Sequence, residues 1–315
     1  MTEANKTELI LLEPNQFEAL KPYYLNYKSD IHDLNLTNLM IWRKKHNLHT
    51  LELSGYLWIV YKPGDPFGTY FSEPIGDYDD LEALKEATKM WFNYCHDNGY
   101  ALNLRHIGET YLSVLEGLYS APEAHLKVLP LEDDFDYVYL SEKLSTLSGN
   151  IYHKKKNHLN QFHKQFEGRF RIEFITAANA GTAFLAAKEW CESNGCGNSL
   201  DLCHEFQGIF EILSTWETQE KHHMEGVVIF VDDHPVALTF GEAIANDTFL
   251  VHVEKADHKI QGIYTAINQA LANRIYTRFK YINREQDLGI EGLRKAKKSY
   301  HPHHLVKKFD INFGA

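Results

Sequence analysis

Glu254 and Lys255 close one apolar run of this chain, and Asn283, Arg284, Glu285 and Asp287 close a second; an amphipathic stretch separates them. Carboxylates and cations gathered at strand ends are costly to order unless they satisfy one another or meet a ligand. Their chemistry suits transfer of a group to a nucleophile. Glu254 or Glu285 can act as general base toward an attacking amine. Arg284 can clamp a carboxylate or phosphate through two parallel hydrogen bonds. The competing account is structural: Glu254 pairs with Arg284, Lys255 pairs with Asp287, and the strand ends are thereby fixed.

Two basic groups accompany the cluster. Arg294, Lys297 and Lys298 fall on one side of a short helix at i, i+3 and i+4. Lys154, Lys155, Lys156 and His158 form the other group. Both can contact phosphate, although a solvated helix face is the ordinary fate of such runs. Asn157, His252 and Tyr300, from the same segments, join the candidate binding set. The spacing of His252, His301, His303 and His304 matches no standard ligand set, so no metal is expected.

The elements that must position these groups follow from periodicity and punctuation. The run from Gly262 to Arg278 predicts a long helix, between strands at Thr248–Glu254 and Lys280–Asn283. Upstream, Phe135–Leu140 predicts a strand and Asn150–Phe166 a basic helix. A hairpin over 225–243 turns at Asp232-Asp233-His234-Pro235. Leu305–Ile311 predicts a final strand. In the first half, a helix is expected from Asn15, as N-cap, to Tyr27. A hairpin is expected around Ser54-Gly55, a break at Pro63-Gly64-Asp65-Pro66, and a helix from Asp79 stopped at Gly99. The order is α+β, a mixed α/β arrangement rather than strict alternation.

At 315 residues the chain is long enough for two domains. Charge divides them: residues 1–150 hold 12 Lys and Arg against 23 Asp and Glu, and so carry the whole net charge of −11. That acidity excludes broad, sequence-blind coating of nucleic acid but leaves room for a local basic site in the neutral second half. The first residues lack an apolar signal core and no run approaches a membrane span, so a cytoplasmic protein with reduced thiols at its four cysteines is expected.

His153–Phe162 (HKKKNHLNQF), Val251–Asp257 (VHVEKAD), Asn283–Pro302 (NREQDLGIEGLRKAKKSYHP) and the Asp136–Tyr139 strand (DYVY) together resemble a bacterial family related to the phosphatidylglycerol lysyltransferase C-terminal domain. The resemblance spans essentially the whole chain. It implies two tandem acetyltransferase-like lobes, each a mixed, mostly antiparallel sheet flanked by helices, here divided at 1–140 and 141–315. The same arrangement occurs in Fem-type enzymes, which move an aminoacyl group from tRNA to an amine or hydroxyl. It therefore implies an acyl- or aminoacyl-transferase with aminoacyl-tRNA as partner and a small-molecule, peptide or lipid-headgroup acceptor. A coenzyme A N-acetyltransferase using acetyl-CoA and a non-catalytic binder of an anionic ligand are the alternatives. For coenzyme A, the pyrophosphate would lie at Gly262 and Tyr264, in Lys259-Ile260-Gln261-Gly262-Ile263-Tyr264. Tyr264 departs from the small residue usual there, and Gly262 is equally explained as a tight entry turn.

Overall fold

The computed structural model describes residues 8–61, 68–119, 126–195, 200–244 and 247–313; the expected break at 63–66 and Cys196 lie outside them. The chain forms two compact units, Met1–Phe135 with Val306–Ala315, and Asp136–Leu305. The first runs β1 (Ile10–Leu11), α1 (Phe17–Leu20), α2 (Leu36–His46), β2 (Leu48–Leu53), β3 (Tyr56–Tyr61), β4 (Tyr70–Phe71), α3 (Leu81–Asn98), β5 (Asn103–Ile107), α4 (Glu109–Leu118) and β6 (Leu126–Pro130). The second runs β7 (Asp136–Leu140), α5 (Ser141–Thr146), α6 (His153–Gln165), β8 (Phe170–Phe174), α7 (Ala180–Ser193), α8 (Leu200–Ser214), α9 (Trp216–Lys221), β9 (Met224–Val231), β10 (His234–Ile244), β11 (Thr248–Ala256), α10 (Ile263–Ile275), β12 (Tyr281–Asn283), α11 (Glu291–Lys298) and β13 (His304–Val306). The last strand, β14 (Phe309–Phe313), returns to the first unit.

Each unit holds one seven-stranded sheet, ordered β1-β2-β3-β4-β5-β14-β6 in the first and β8-β9-β10-β11-β12-β7-β13 in the second. These are the same order. Six strands lie in chain sequence, and a seventh is inserted between the fifth and sixth. In both sheets the fourth and fifth strands are parallel, at Phe71↔Leu104 and at Thr248↔Tyr281. The inserted strands are exchanged: β7 follows the first unit's six strands but enters the second sheet, and β14 follows the second unit's six but enters the first. The repeat is thus one of topology, with no sequence counterpart. Two acetyltransferase-like lobes form as expected. Their limits differ from 1–140 and 141–315 because of the exchange. The segment expected as one strand over 305–311 is two, β13 and β14, in different sheets. Between them Lys308 is fully buried, bound to the Asp33 carboxylate and 3.0 Å from His32 Nδ1. Burial would raise the Asp33 pKa, but His106, His32 and Lys308 hold it well below the usual carboxylate range.

Local chemistry explains other departures. The helix expected over Asn15–Tyr27 breaks into short 3₁₀ and α pieces, since Pro22 removes a backbone donor within it. Its cap is Glu13, whose N–H donates to Gln16 Oε1 at 2.9 Å, not Asn15. α3 behaves as read: Asp80 accepts from Ala83 N at 3.0 Å, and Gly99 closes it at φ 70°. Cys191 is disulfide-bonded, against the expectation of reduced thiols, while Cys95 and Cys203 are thiols outside any disulfide.

Both sheets are covered on two faces. Along β3, Tyr56, Trp58 and Val60 enter a core with Trp91 and Tyr111, while Leu57, Ile59 and Tyr61 enter another with Leu34, Leu39 and Met40. That is the period-two alternation of a strand buried on both sides. In the second unit, Val227, Ile229, Phe249 and Val251 pack beneath Ile263, Ile267 and Leu271 of α10 and Phe162 of α6. α7 lies against β10 and β11. Burying each such side chain contributes roughly 1.5–3 kcal/mol. Among the described residues, no helix is long and apolar enough to cross a membrane.

Candidate functional site

β11 and β12 pair from Thr248↔Tyr281 to Leu250↔Asn283 and then part. β11 continues beside β10 as far as Ala256, while the chain beyond Asn283 turns away toward α11. Arg284 spans the gap, its Nη2 donating to Glu254 Oε1 at 2.7 Å. The other Glu254 oxygen accepts from Asn268 Nδ2 of α10 at 3.2 Å. The Arg284 guanidinium lies 4.9 Å from the Tyr300 ring centre and 5.6 Å from that of Tyr139. Lys155 of α6 reaches the same Tyr300 ring, at 3.7 Å. Tyr300 is itself fixed: its hydroxyl lies 3.3 Å from Thr265 Oγ1, and its carbonyl accepts from Tyr152 Oη at 3.1 Å.

Two cations therefore share one ring, and Glu254, paired with Arg284, attracts Lys155 through its charge. Burial, and then repulsion from Arg284, pull the Lys155 pKa down to about 8. Arg284 is pushed the other way: burial opposes its charge, but Glu254 outweighs it. Its Nη1 is buried and meets no acceptor among the described residues. Such a donor is costly to leave unsatisfied.

The other polar residues at the strand ends hold the loop that displays Arg284 and Glu285. Asn283 is fully buried; its Nδ2 donates to Asp136 Oδ2 at 3.1 Å and its Oδ1 accepts from Glu285 N at 2.8 Å. Lys297 donates to the carbonyls of Arg284, Glu285 and Gln286, with the Glu285 bond at 2.9 Å. Burial lowers its pKa to about 8. Asp287 receives Arg294 at 2.7 and 2.8 Å, Tyr137 Oη at 2.6 Å and Gly289 N at 3.0 Å. Burial works against its charge, but Arg294 and Tyr137 bring its pKa down to about 2. Held this way, Glu285 adopts φ 57°, a left-handed conformation that non-glycine residues hold only under constraint.

Of the two ion pairs in the structural account, Glu254–Arg284 forms and Lys255–Asp287 does not. Lys255 pairs with Glu205 at 2.8 Å and lies 3.8 Å from the Trp190 ring centre. The expected basic face of α11 is divided: Arg294 is spent on Asp287, Lys297 on carbonyls, and Lys298 is exposed. On α6 only Lys155 turns inward, while Lys154, Lys156, Asn157 and His158 are exposed. His252 is buried between Glu242 at 3.0 Å and Glu285 at 3.7 Å. Sequence reasoning passed over Glu242, Asn268 and Tyr139. Asn268 did carry a signal, a lone amide on the apolar face of a helix.

Gly262 sits at φ 83°, and a Cβ there would lie 2.1 Å from the carbonyl oxygen of His158. Close approach of α6 accounts for this glycine, so the turn reading suffices. Tyr264 accepts a hydrogen bond from Trp190 Nε1 at 3.1 Å. A hollow of about 190 Å³ beside Lys259 is lined by Glu189, Glu192 and Asp257 as well as His258. That charge balance does not suit a pyrophosphate.

Two sheets of one topology, each with its parallel pair at the fourth and fifth strands, make this a tandem mixed-sheet chain. The chain belongs to the phosphatidylglycerol lysyltransferase C-terminal family, whose sequence profile matches residues 26–312. A conserved protein of unknown function from Bacteroides thetaiotaomicron superposes with a TM-score of 0.85 and 28% identity, over 98% of this chain and 100% of that one. L-PGS from Bacillus licheniformis gives 0.67 at 12% identity, over 96% and 92%. FemX gives 0.60 at 10% identity, over 96% of each. At such identities the last two show the fold alone. An uncharacterised protein of Mycoplasmoides gallisepticum is 22% identical over 182 residues; the match spans 56% of each chain, so this chain covers about half the length of that relative.

Proposed function

We propose that this protein is an acyl- or aminoacyl-transferase whose donor is aminoacyl-tRNA and whose acceptor is an amine or hydroxyl on a small molecule, peptide or lipid headgroup. The observation that carries this reading is the placement of Lys155 and Arg284 over Tyr300, with Glu254 paired to Arg284. Two part-buried cations against one anion leave positive charge aimed at the parted strand ends. Fixed charge of that kind stabilises the oxyanion that forms when a nucleophile adds to an ester carbonyl. Family membership and the fold shared with FemX and L-PGS point the same way.

The residues take distinct roles in this scheme. Both Glu254 oxygens are engaged, by Arg284 and Asn268, so Glu254 orients the guanidinium. Glu285 is part-exposed, and its buried Oε1 faces His252 Nδ1 at 3.7 Å, which leaves its other carboxylate oxygen as the base. The attacking amine or hydroxyl forms its bond to the ester carbon and passes its proton to Glu285. Collapse of the adduct breaks the bond to the ribose oxygen, which leaves with a proton. A donor ester with a free α-amine and a 3′-terminal phosphate backbone would also find Lys154 and Lys156 on the same helix.

The test is transfer of a labelled aminoacyl group from charged tRNA to a panel of amines and hydroxyls. Acetyl-CoA is titrated by calorimetry in parallel. Label appearing in an acceptor and lost in Glu285→Gln supports the scheme. Heat from acetyl-CoA with no aminoacyl transfer would replace it with coenzyme A chemistry.

A further inference from the structure

β10 and β11 fall out of step at a single point. Phe240 pairs with Val253 and Gly241 with Val251, so His252 is the extra residue of a β-bulge. Bulges re-aim one side chain and are frequent beside active sites. Gly241 is part of the device: a Cβ there would lie 1.9 Å from Leu250 O. The result is an imidazole with no exposed side-chain surface, set between two carboxylates from different elements. Nε2 lies 3.0 Å from Glu242 Oε1, on β10 just past the bulge. Nδ1 faces Glu285 Oε1 at 3.7 Å, and these two atoms are buried with no other hydrogen-bond partner among the described residues.

We infer that Glu242 and His252 are positioning residues for Glu285, forming a carboxylate–imidazolium–carboxylate line that holds the Glu285 side chain at the parted strand ends. This rests on the reading of Glu285 as base. Nε2–H donates to Glu242, and Nδ1–H is then committed toward Glu285. A contraction of well under 1 Å would close that second hydrogen bond. Burial disfavours the charged ring, but Glu242 and Glu285 outweigh it and raise its pKa to about 9. Glu285 also acts on Lys297 of α11, and Arg284 on the same loop, Glu254 of β11 and Asp136 of β7 lie around that lysine. Lys297 is already spent on three carbonyls and Arg284 on Glu254, which leaves His252 as the group facing the Glu285 carboxylate oxygen.

The experiment follows the His252 imidazole by ¹⁵N-resolved NMR through a pH titration of the full chain. Wild type, Glu242→Gln and Glu285→Gln are compared. Both variants should lower the midpoint, each by about one pH unit or more. Glu242→Gln should also cut the turnover of aminoacyl transfer with little change in KM, and its pH–rate profile should move with the His252 midpoint. An unchanged midpoint in Glu285→Gln overturns the inference, because the ring would then not be coupled to that carboxylate. The titration needs no substrate, so it stands or falls apart from the transferase reading. Absence of transfer in wild type would sink that reading while leaving the coupling measurable.

Discussion

Arg284 donates to Glu254 at 2.7 Å across the point where β11 and β12 separate. The pair is the one contact that both accounts of the cluster require, and a stability measurement alone cannot tell them apart. Glu254→Gln should cost about 3 kcal/mol, because it strands a buried guanidinium. The double replacement Glu254→Leu with Arg284→Met should recover much of that loss. Denaturant melts of the four members of this cycle give the coupling. If the pair is functional as well, the double variant regains stability but not transfer.

Gly262 is held by packing, and replacing it should be a folding defect. Gly262→Ala puts a methyl group against His158 O and a side chain at φ 83°. A loss of about 3 kcal/mol is expected, from strain in the left-handed region plus a backbone clash that α6 must move to relieve. Thermal melts check it. A variant that melts like wild type would mean that the α6 approach is looser than described.

In the first unit, Glu73 lies just past the parallel β4–β5 pair and is 2% exposed. Tyr27 Oη and Gly108 N each donate to it at 2.7 Å. Burial raises its pKa to about 7 despite those bonds. A raised carboxylate pKa means the folded state holds its proton longer than the unfolded chain does. Stability should therefore fall as pH rises from about 4.5 to about 7 and then level off. Glu73→Gln removes this loss. Relative to wild type it should gain about 3 kcal/mol between pH 4 and pH 8. Parallel urea melts at the two pH values test the sign. A variant whose relative stability is flat with pH would contradict it.

His252 gives the opposite slope to Lys155 and Lys297. Its raised pKa stabilises the fold fully below about 6.5, and that contribution is lost as pH climbs through about 9. The two lysines, lowered to about 8, destabilise the charged form, so their penalty is relieved between about 8 and 10.5. In His252→Gln the first loss disappears. The variant should be less stable than wild type at pH 6 and close the gap by pH 9.5, as thermal melts across that range would show.

Much of this architecture was legible because local signals agreed with the fold. The 225–243 hairpin turns on Asp232 and Asp233, both with positive φ. α10 (Ile263–Ile275) falls within the helix predicted from Gly262 to Arg278 and buries its apolar face. What periodicity could not reveal was strand destination. β13 and β14 read as one run, and Lys308 between them looks like surface until Asp33 and His32 are brought beside it by the exchange. The site was half legible for the same reason. Glu254 with Arg284 follows from strand ends being neighbours. The partners of Lys255 and Asp287 depend on α8 and α11, whose angles of approach leave no trace in spacing. A bulge at His252 is equally silent, since one skipped register step changes no residue type.

The most direct test of the account is retention of charged tRNA by wild type and by Lys155→Met across a salt series. Wild type should bind at low salt and weaken steeply, with a log–log slope of roughly −2 for about three backbone contacts to a single strand. Lys155→Met should bind more weakly with a shallower slope, and should transfer aminoacyl groups more slowly even when saturated. Equal binding by the two proteins, or no retention of charged tRNA by wild type at low salt, would contradict the claim that the cations over Tyr300 receive the donor.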